Sequence, residues 1–122
     1  MSDRKKVLVV EDDADCRDLI TLILEDDYQV ISAVNGEEAL ESIEREKPDI
    51  VLLDIMIPRI DGWEILKKLR ADERYKNLTI LAVTALASEE SRQRALREGA
   101  TDYIIKPFDP EELLEVLSTY AK

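Results

Sequence analysis

Short apolar runs alternate with helical patterns from one end of the chain to the other. The apolar runs predict five strands, at residues 7–10, 28–34, 50–53, 79–83 and 103–105. The segments that follow these runs have the apolar spacing or the capping residues of helices. This alternation predicts βα units that assemble into a parallel sheet. The third run, IVLL, is apolar at consecutive positions and therefore predicts a central strand covered on both faces.

The predicted helices begin after residue types that cap helix N-termini. Asn35 and Asp61 are each followed three positions later by glutamate, a variant of the capping box, and Asp109 is followed by a proline suited to the first helical position. The fourth helix, between Ser88 and Gly99, has few apolar positions and is the least core-like of the five. The expected buried face of the first helix consists of Cys16, Leu19, Ile20, Ile23 and Leu24.

Composition and charge narrow the possible functions. The chain has 122 residues, so we expect residues 1–122 to form one domain with no output domain after it. Its formal net charge of −11 would be repelled by nucleic acid and by anionic lipid, and we expect no direct binding to either. A single cysteine and the absence of a signal peptide predict a cytoplasmic location. The sequence has no histidine, which excludes Ser-His-Asp catalysis and a phosphohistidine on this chain.

Polar side chains follow four of the predicted strands. Glu11 and Asp12 follow the first strand, Asp54 the third, Thr84 the fourth and Lys106 the fifth. Carboxyl ends of parallel strands share one edge of the sheet, and in the flavodoxin-like arrangement the crevice between the first and third strands would bring the three acids together. Three close carboxylates either hold a proton through raised pKa values or hold a hard cation. Magnesium is the expected ion because it binds few carboxylates and bridges to phosphoryl groups.

Each of these polar residues also has an ordinary structural interpretation. Asp13 is expected to cap the first helix. Lys106 could be a surface lysine, Thr84 an ordinary strand residue, and Tyr103 a half-buried residue with its hydroxyl in water. Cys16 is most simply a small buried hydrophobic residue. The combination of acids, a hydroxyl and a lysine at neighbouring strand ends nevertheless favours phosphoryl transfer to a carboxylate nucleophile.

At these positions the sequence resembles the receiver domain of two-component response regulators, the family of the bacterial chemotaxis regulator. The matching motifs are VVEDD at residues 9–13, LDIMIP at 53–58 with DG at 61–62, VTA at 83–85 and IKPF at 105–108. They span nearly the whole chain in the family's order. The resemblance implies a flavodoxin-like (βα)5 sandwich with strand order 2-1-3-4-5 and helices on both faces.

The resemblance also implies the chemistry of the site. Asp54 would be the phosphoacceptor, and Glu11, Asp12 and the backbone carbonyl of Met56 would hold Mg²⁺ or Mn²⁺ beside it. Lys106 would pair with a phosphoryl oxygen as a point charge. Receivers commonly hold the peptide bond after this lysine in the cis form, so the same is expected here.

Three further residues would respond to the phosphoryl group in a receiver. Thr84 would donate its hydroxyl to a phosphoryl oxygen, Ala85 would offer its backbone amide, and Tyr103 would turn inward. The fourth helix, fifth strand and fifth helix would then bind a downstream protein whose identity the sequence does not indicate. Met56 and Leu86 stand at the two positions that flank the phosphoryl group in receivers.

The implied protein is a signalling module that catalyses only its own phosphorylation and dephosphorylation. Its donor would be a sensor histidine kinase or a histidine phosphotransfer protein, and it would be a monomer or weak dimer. A haloacid-dehalogenase-type phosphatase needs a second acid where Met56 stands, and a phosphate-loop protein needs the GxxxxGK[ST] turn that is absent after the first strand. A receiver-like scaffold that binds a partner without phosphorylation remains the alternative.

Overall fold

The described residues form a five-stranded parallel sheet with helices on both faces. The computed structural model describes residues 4–57 and 61–121. The strands are β1 (Lys6–Val10), β2 (Gln29–Ala33), β3 (Ile50–Leu53), β4 (Thr79–Thr84) and β5 (Asp102–Ile105). The strand order is β2-β1-β3-β4-β5, which confirms the predicted flavodoxin-like arrangement. The helices are α1 (Ala14–Leu24), α2 (Gly36–Glu46), α3 (Gly62–Ala71), α4 (Glu89–Arg97) and α5 (Pro110–Tyr120).

Local sequence signals account for most of these boundaries. The side chains of Asp13, Asn35, Asp61 and Ser88 each accept a hydrogen bond from a backbone amide in the first turn of the helix that follows. Asp109 occupies the same position before α5, but its side chain makes no capping hydrogen bond. That helix still begins as predicted because the proline at its first position has a φ angle suited to a helix. A short 3-10 helix, Glu73–Tyr75, was not expected from the sequence.

The sheet separates two hydrophobic clusters, one on each face. Alternate residues of β3 face opposite clusters: Val51 and Leu53 pack with residues of α2 and α3, whereas Ile50 and Leu52 pack with residues of α1 and α5. All four side chains are buried, as the unbroken apolar run predicts for a central parallel strand.

The predicted buried face of α1 is wrong at one position. Ile20 and Leu24 are buried and Cys16 and Ile23 are half-buried, but Leu19 is 49% exposed. A helix packed on a sheet covers only part of its apolar stripe. Leu19 lies at the edge of that contact and borders an open cleft at the carboxyl end of the sheet.

Candidate functional site

The register of the sheet brings two buried acids to neighbouring positions. Val10 at the end of β1 pairs with Leu53 at the end of β3. Glu11 and Asp54 follow directly, and the Asp54 amide donates to the Val10 carbonyl oxygen over 3.1 Å, which continues the ladder past the strand ends. Both acids are buried. The expected meeting of these acids at the carboxyl edge of the sheet is therefore found.

Lys106 bridges the two buried carboxylates. Its Nζ donates to Glu11 Oε1 and, over 2.8 Å, to Asp54 Oδ2. Its backbone amide donates to the Thr84 carbonyl oxygen over 2.9 Å, and the Lys106-Pro107 peptide bond is cis. The lysine is thus an inward-pointing cation, and the interpretation of it as an ordinary surface lysine is wrong.

The remaining carboxylate oxygens accept backbone hydrogen bonds. Asp54 Oδ1 accepts from the Met56 amide over 2.9 Å, and Glu11 Oε2 accepts from the Asp13 amide over 3.2 Å. Asp12 is exposed. These bonds fix the orientation of both buried carboxylates.

The structure adds one residue that was not recognised in the sequence. Arg17, in α1, donates from Nη1 to the carbonyl oxygens of Glu11, over 2.9 Å, and Asp12, over 3.2 Å. The guanidinium thereby holds the turn that presents both acids. The available signal was a cation about one helical turn after a run of acids.

Burial and charge shift the pKa values at the site. Burial is the main reason that the pKa of Glu11 lies above its ordinary value; the neighbouring Asp54 adds to the effect and Lys106 opposes it. Burial by itself would lower the pKa of Lys106, but its hydrogen bonds to the two carboxylates outweigh burial and raise it. Lys106 therefore stays protonated at neutral pH.

The three acids form an all-oxygen cluster. Glu11, Asp12 and Asp54 each offer a carboxylate oxygen, and these oxygens lie within 4.8 Å of one another. In their ionised forms, three carboxylates and the ammonium of Lys106 leave a net charge of −2. Both the donor type and this charge fit a hard divalent cation such as Mg²⁺. The role expected for the Met56 carbonyl stays a prediction.

Thr84 and Tyr103 meet at the loop that precedes α4. Thr84 is fully buried, and its Oγ1 accepts from the Leu86 amide over 3.4 Å. The Tyr103 hydroxyl donates to the Leu86 carbonyl oxygen over 2.6 Å, and burial raises its pKa. Tyr103 is therefore buried and bonded to protein, so its interpretation as a half-buried residue with a hydrated hydroxyl is wrong. Ala85, between these contacts, is exposed.

The glycine of the DG motif has a steric explanation. A Cβ atom on Gly62 would lie 2.4 Å from the Ile55 Cα, so only glycine fits where α3 begins against the residues that follow Asp54.

Burial raises the pKa of the Cys16 thiol to about 11, so this half-buried residue is protonated at neutral pH. Pro58, the last residue of the LDIMIP motif, lies outside the described residues.

The comparison with known families agrees with this geometry. The profile of the response regulator receiver domain matches residues 7–118. This chain belongs to the response regulator receiver domain family. Among the described residues, no helix combines the length and apolar character needed to cross a membrane.

Receiver domains of known structure superimpose on nearly the whole chain. The chemotaxis response regulator CheY4 of Vibrio cholerae is 35% identical, with a TM-score of 0.90 over 96% of this chain and 98% of that one. The receiver domain of the sensor histidine kinase PA1611 from Pseudomonas aeruginosa is 32% identical, with a TM-score of 0.88 over 97% and 98% of the two chains. The latter structure has a magnesium ion coordinated in its active site cleft.

Sequence relatives include both short and longer proteins. An uncharacterized 14.6 kDa protein of Leptolyngbya boryana is 43% identical over 93% of this chain and 88% of its own length. The alkaline phosphatase synthesis transcriptional regulatory protein PhoP of Bacillus subtilis is 44% identical over 89% of this chain, but the match covers only 45% of PhoP. The chain thus spans less than half the length of this longer relative.

Proposed function

We propose that this receiver domain accepts a phosphoryl group on Asp54 from a phosphohistidine. The observation that carries the proposal is the environment of this carboxylate: it is buried at a strand end, one oxygen accepts from Lys106 Nζ, and the other accepts from the Met56 amide. A carboxylate held in this way is oriented for attack and is paired with a cation that can offset the charge of the incoming group.

The transfer needs no proton from this chain, because the donor imidazole leaves as a neutral ring when its other nitrogen is protonated. An oxygen of the Asp54 carboxylate attacks phosphorus, a P–O bond forms, and the P–N bond to the donor imidazole breaks with its electron pair going to nitrogen. The ammonium of Lys106 faces the charge that develops on the phosphoryl oxygens. Glu11 stays a carboxylate and holds Lys106 in place from the other side.

A divalent cation, when bound, would neutralise phosphoryl oxygens and lower the repulsion between the donor and the acids. Glu11, Asp12, Asp54 and the Met56 carbonyl are its proposed ligands, and Mn²⁺ should replace Mg²⁺. The cluster of three acidic oxygens supports this assignment, as does the magnesium ion in the cleft of the related PA1611 receiver.

The proposed output is a change on the face formed by α4, β5 and α5. Thr84 would turn its hydroxyl to a phosphoryl oxygen, while the Ala85 amide would bond another. Both Thr84 and Tyr103 contact Leu86, so a movement of one is passed to the other through a single residue. The donor would be a sensor histidine kinase or a histidine phosphotransfer protein, and a downstream protein would bind the altered face.

Labelling of the purified protein tests the proposal. Incubation with acetyl phosphate and Mg²⁺ should add one phosphoryl group, detected by intact mass spectrometry, and a chelator should prevent the addition. Asp54→Asn should abolish labelling, whereas Asp26→Asn, at an exposed acid just after α1, should be labelled like the wild type. Metal-dependent labelling of Asp54→Asn at another residue would overturn the assignment. Absence of both labelling and Mg²⁺ binding in the wild type would favour the unphosphorylated scaffold.

A further inference from the structure

One arginine joins three segments at the end of the sheet opposite to the acidic site. Arg70, in the last turn of α3, donates from Nε to the Gly99 carbonyl oxygen over 2.8 Å. Its Nη1 donates to the Tyr75 carbonyl oxygen and its Nη2 to the Leu78 carbonyl oxygen, each over 2.7 Å. The guanidinium therefore ties the end of α4, the 3-10 helix and the residue before β4 to α3.

The end of α4 is shaped to receive this side chain. Gly99 has a φ of +112°, a conformation that favours glycine, and a Cβ atom there would lie 2.5 Å from Arg70 Cγ. The Gly99 amide donates to the Leu96 carbonyl oxygen and the Ala100 amide to the Ala95 carbonyl oxygen, which is the Schellman pattern. This pattern leaves the Gly99 carbonyl oxygen directed at Arg70.

The other contacts of α4 with the rest of the protein are also concentrated toward its C-terminal end. Of its nine residues, all within the described part of the chain, only Ala95 is buried. The guanidinium of Arg94 lies 3.9 Å from the centre of the Trp63 ring of α3. In contrast, residues 87–90 at the start of the helix are all exposed. The two ends of α4 are thus held very differently.

We propose that Arg70 makes the C-terminal end of α4 a fixed pivot about which the N-terminal end of the helix moves. One planar guanidinium with several donors can bond three carbonyl oxygens in different directions, which a lysine ammonium on a flexible stem cannot reproduce. At the opposite end, Leu86 in the preceding loop is hydrogen-bonded to Thr84 and to Tyr103. A movement that begins there would be converted into a swing of the helix rather than a sliding of it.

Amide hydrogen exchange of the full chain tests this pivot without any phosphorylation. In the wild type, amides at 95–101 should exchange more slowly than those at 89 and 90, which lie at the exposed start of the helix. Arg70→Gln and Arg70→Lys should speed exchange at 95–101 by about 10- to 100-fold, the loss expected when hydrogen bonds to a charged group are removed. Gly99→Ala should have the same local effect from the other side of the contact. Lys68→Gln removes an exposed charge of the same helix and should change nothing there.

Three results would overturn the pivot. The first is unchanged exchange at 95–101 in the Arg70 variants. The second is a uniform increase across the sheet and all helices, which would show a purely global loss of stability. If Arg70→Gln does not fold, Arg70→Lys and Gly99→Ala provide the test. The third overturning result is then that neither of these two variants exchanges faster at 95–101.

A second measurement rests on the proposed function. Beryllofluoride, a phosphoryl mimic, should change exchange in the wild type at 85–92 and leave 95–101 unchanged, whereas in Arg70→Lys the change should extend through 101. A wild type that does not respond to beryllofluoride would count against the proposed function alone, because the exchange of the unmodified variants still decides the pivot. A wild-type response of equal size at both ends of α4 would count against the pivot.

Discussion

Lys106 and Lys6 lie at opposite ends of the same sheet, and their ion pairs differ in the acids rather than in the lysines. The lysine side chains are 20% and 25% exposed. The partners of Lys106 are only 3% exposed for Glu11 and 8% for Asp54. The partner of Lys6 is Glu46, which is 33% exposed. Lysines of similar exposure therefore pair with two buried carboxylates at the carboxyl end of the strands and with one more exposed carboxylate at the amino end.

This difference in burial changes what each ion pair costs in stability. Removing carboxylates from water costs more free energy than one ammonium returns, and an apolar residue of similar size would often be the more stable choice. An exposed pair costs little and contributes little. If the proposed function is correct, the buried charges at the carboxyl end are retained for phosphoryl transfer, at some expense to the stability of the fold.

Removal of each lysine is expected to give the largest contrast. Lys106→Met leaves two buried carboxylates without their cation and should lower the free energy of unfolding by about 2 to 3 kcal/mol in metal-free buffer, somewhat less than for a fully buried pair because Lys106 is partly exposed. Lys6→Met should have a much smaller effect. Urea denaturation measures both, and equal losses would contradict the comparison.

Divalent metal should stabilise one end of the sheet only. Saturating Mg²⁺ should raise the free energy of unfolding of the wild type by about 2 kcal/mol, since a ligand that binds only the folded state stabilises it by mass action. Asp12→Asn should lose most of this gain. Asp49→Asn, at the amino end where the Asp49 carboxylate accepts from the Lys6 amide, should keep it. The same gain in both variants would place the metal elsewhere.

The lifetime of the phosphoryl group should depend on the apolar residues two positions after Asp54 and two positions after Thr84. Hydrolysis needs a water molecule in line with the P–O bond, and neither Met56 nor Leu86 can orient one. A long-lived phosphoprotein is therefore expected. The double variant Met56→Asn, Leu86→Glu should lose phosphate at least about tenfold faster, a barrier change of about 1.4 kcal/mol. A wild-type lifetime of seconds, or no acceleration in the variant, would disprove this explanation.

The smallest expected effect is a difference in the sign of two pH dependences. Burial raises the pKa of Glu11, so its contribution to stability is full below its ordinary value of 4.5 and is lost as pH rises through the higher folded value. Hydrogen bonds from Arg45 and Lys6 lower the pKa of Glu46, so its contribution is present above 4.5 and is lost as pH falls through the lower folded value.

Two glutamine variants measure this difference in metal-free buffer. Relative to the wild type, Glu11→Gln should gain stability as pH rises from about 4 to 7, by about 1.4 kcal/mol for each unit of pKa difference. Glu46→Gln should lose a little over the same range. Thermal unfolding measures both variants. If their stabilities relative to the wild type change with the same sign as pH rises, the assignment of opposite environments to Glu11 and Glu46 is refuted.

Local signals in the sequence determined the elements of this protein and the order of its candidate site residues along the chain. The observed strands begin and end within one residue of the predicted ones. Capping residues and apolar periodicity act over three or four positions, so they are visible without the fold. The acids at 11, 12 and 54 were likewise recognisable because parallel strands end at a common edge.

Only the tertiary structure decided which side chains meet and which are buried. Leu19 follows the helical period yet is exposed. The contact between α1 and the sheet is narrower than the apolar face of the helix, and the spacing of apolar residues does not encode the width of that contact. The contact between Arg70 and Gly99 joins residues 29 positions apart, and that between Lys106 and Glu11 joins residues 95 apart. Such contacts depend on strand order and on the packing of whole elements, which no local pattern specifies. The burial that raises the pKa of Glu11 has the same origin.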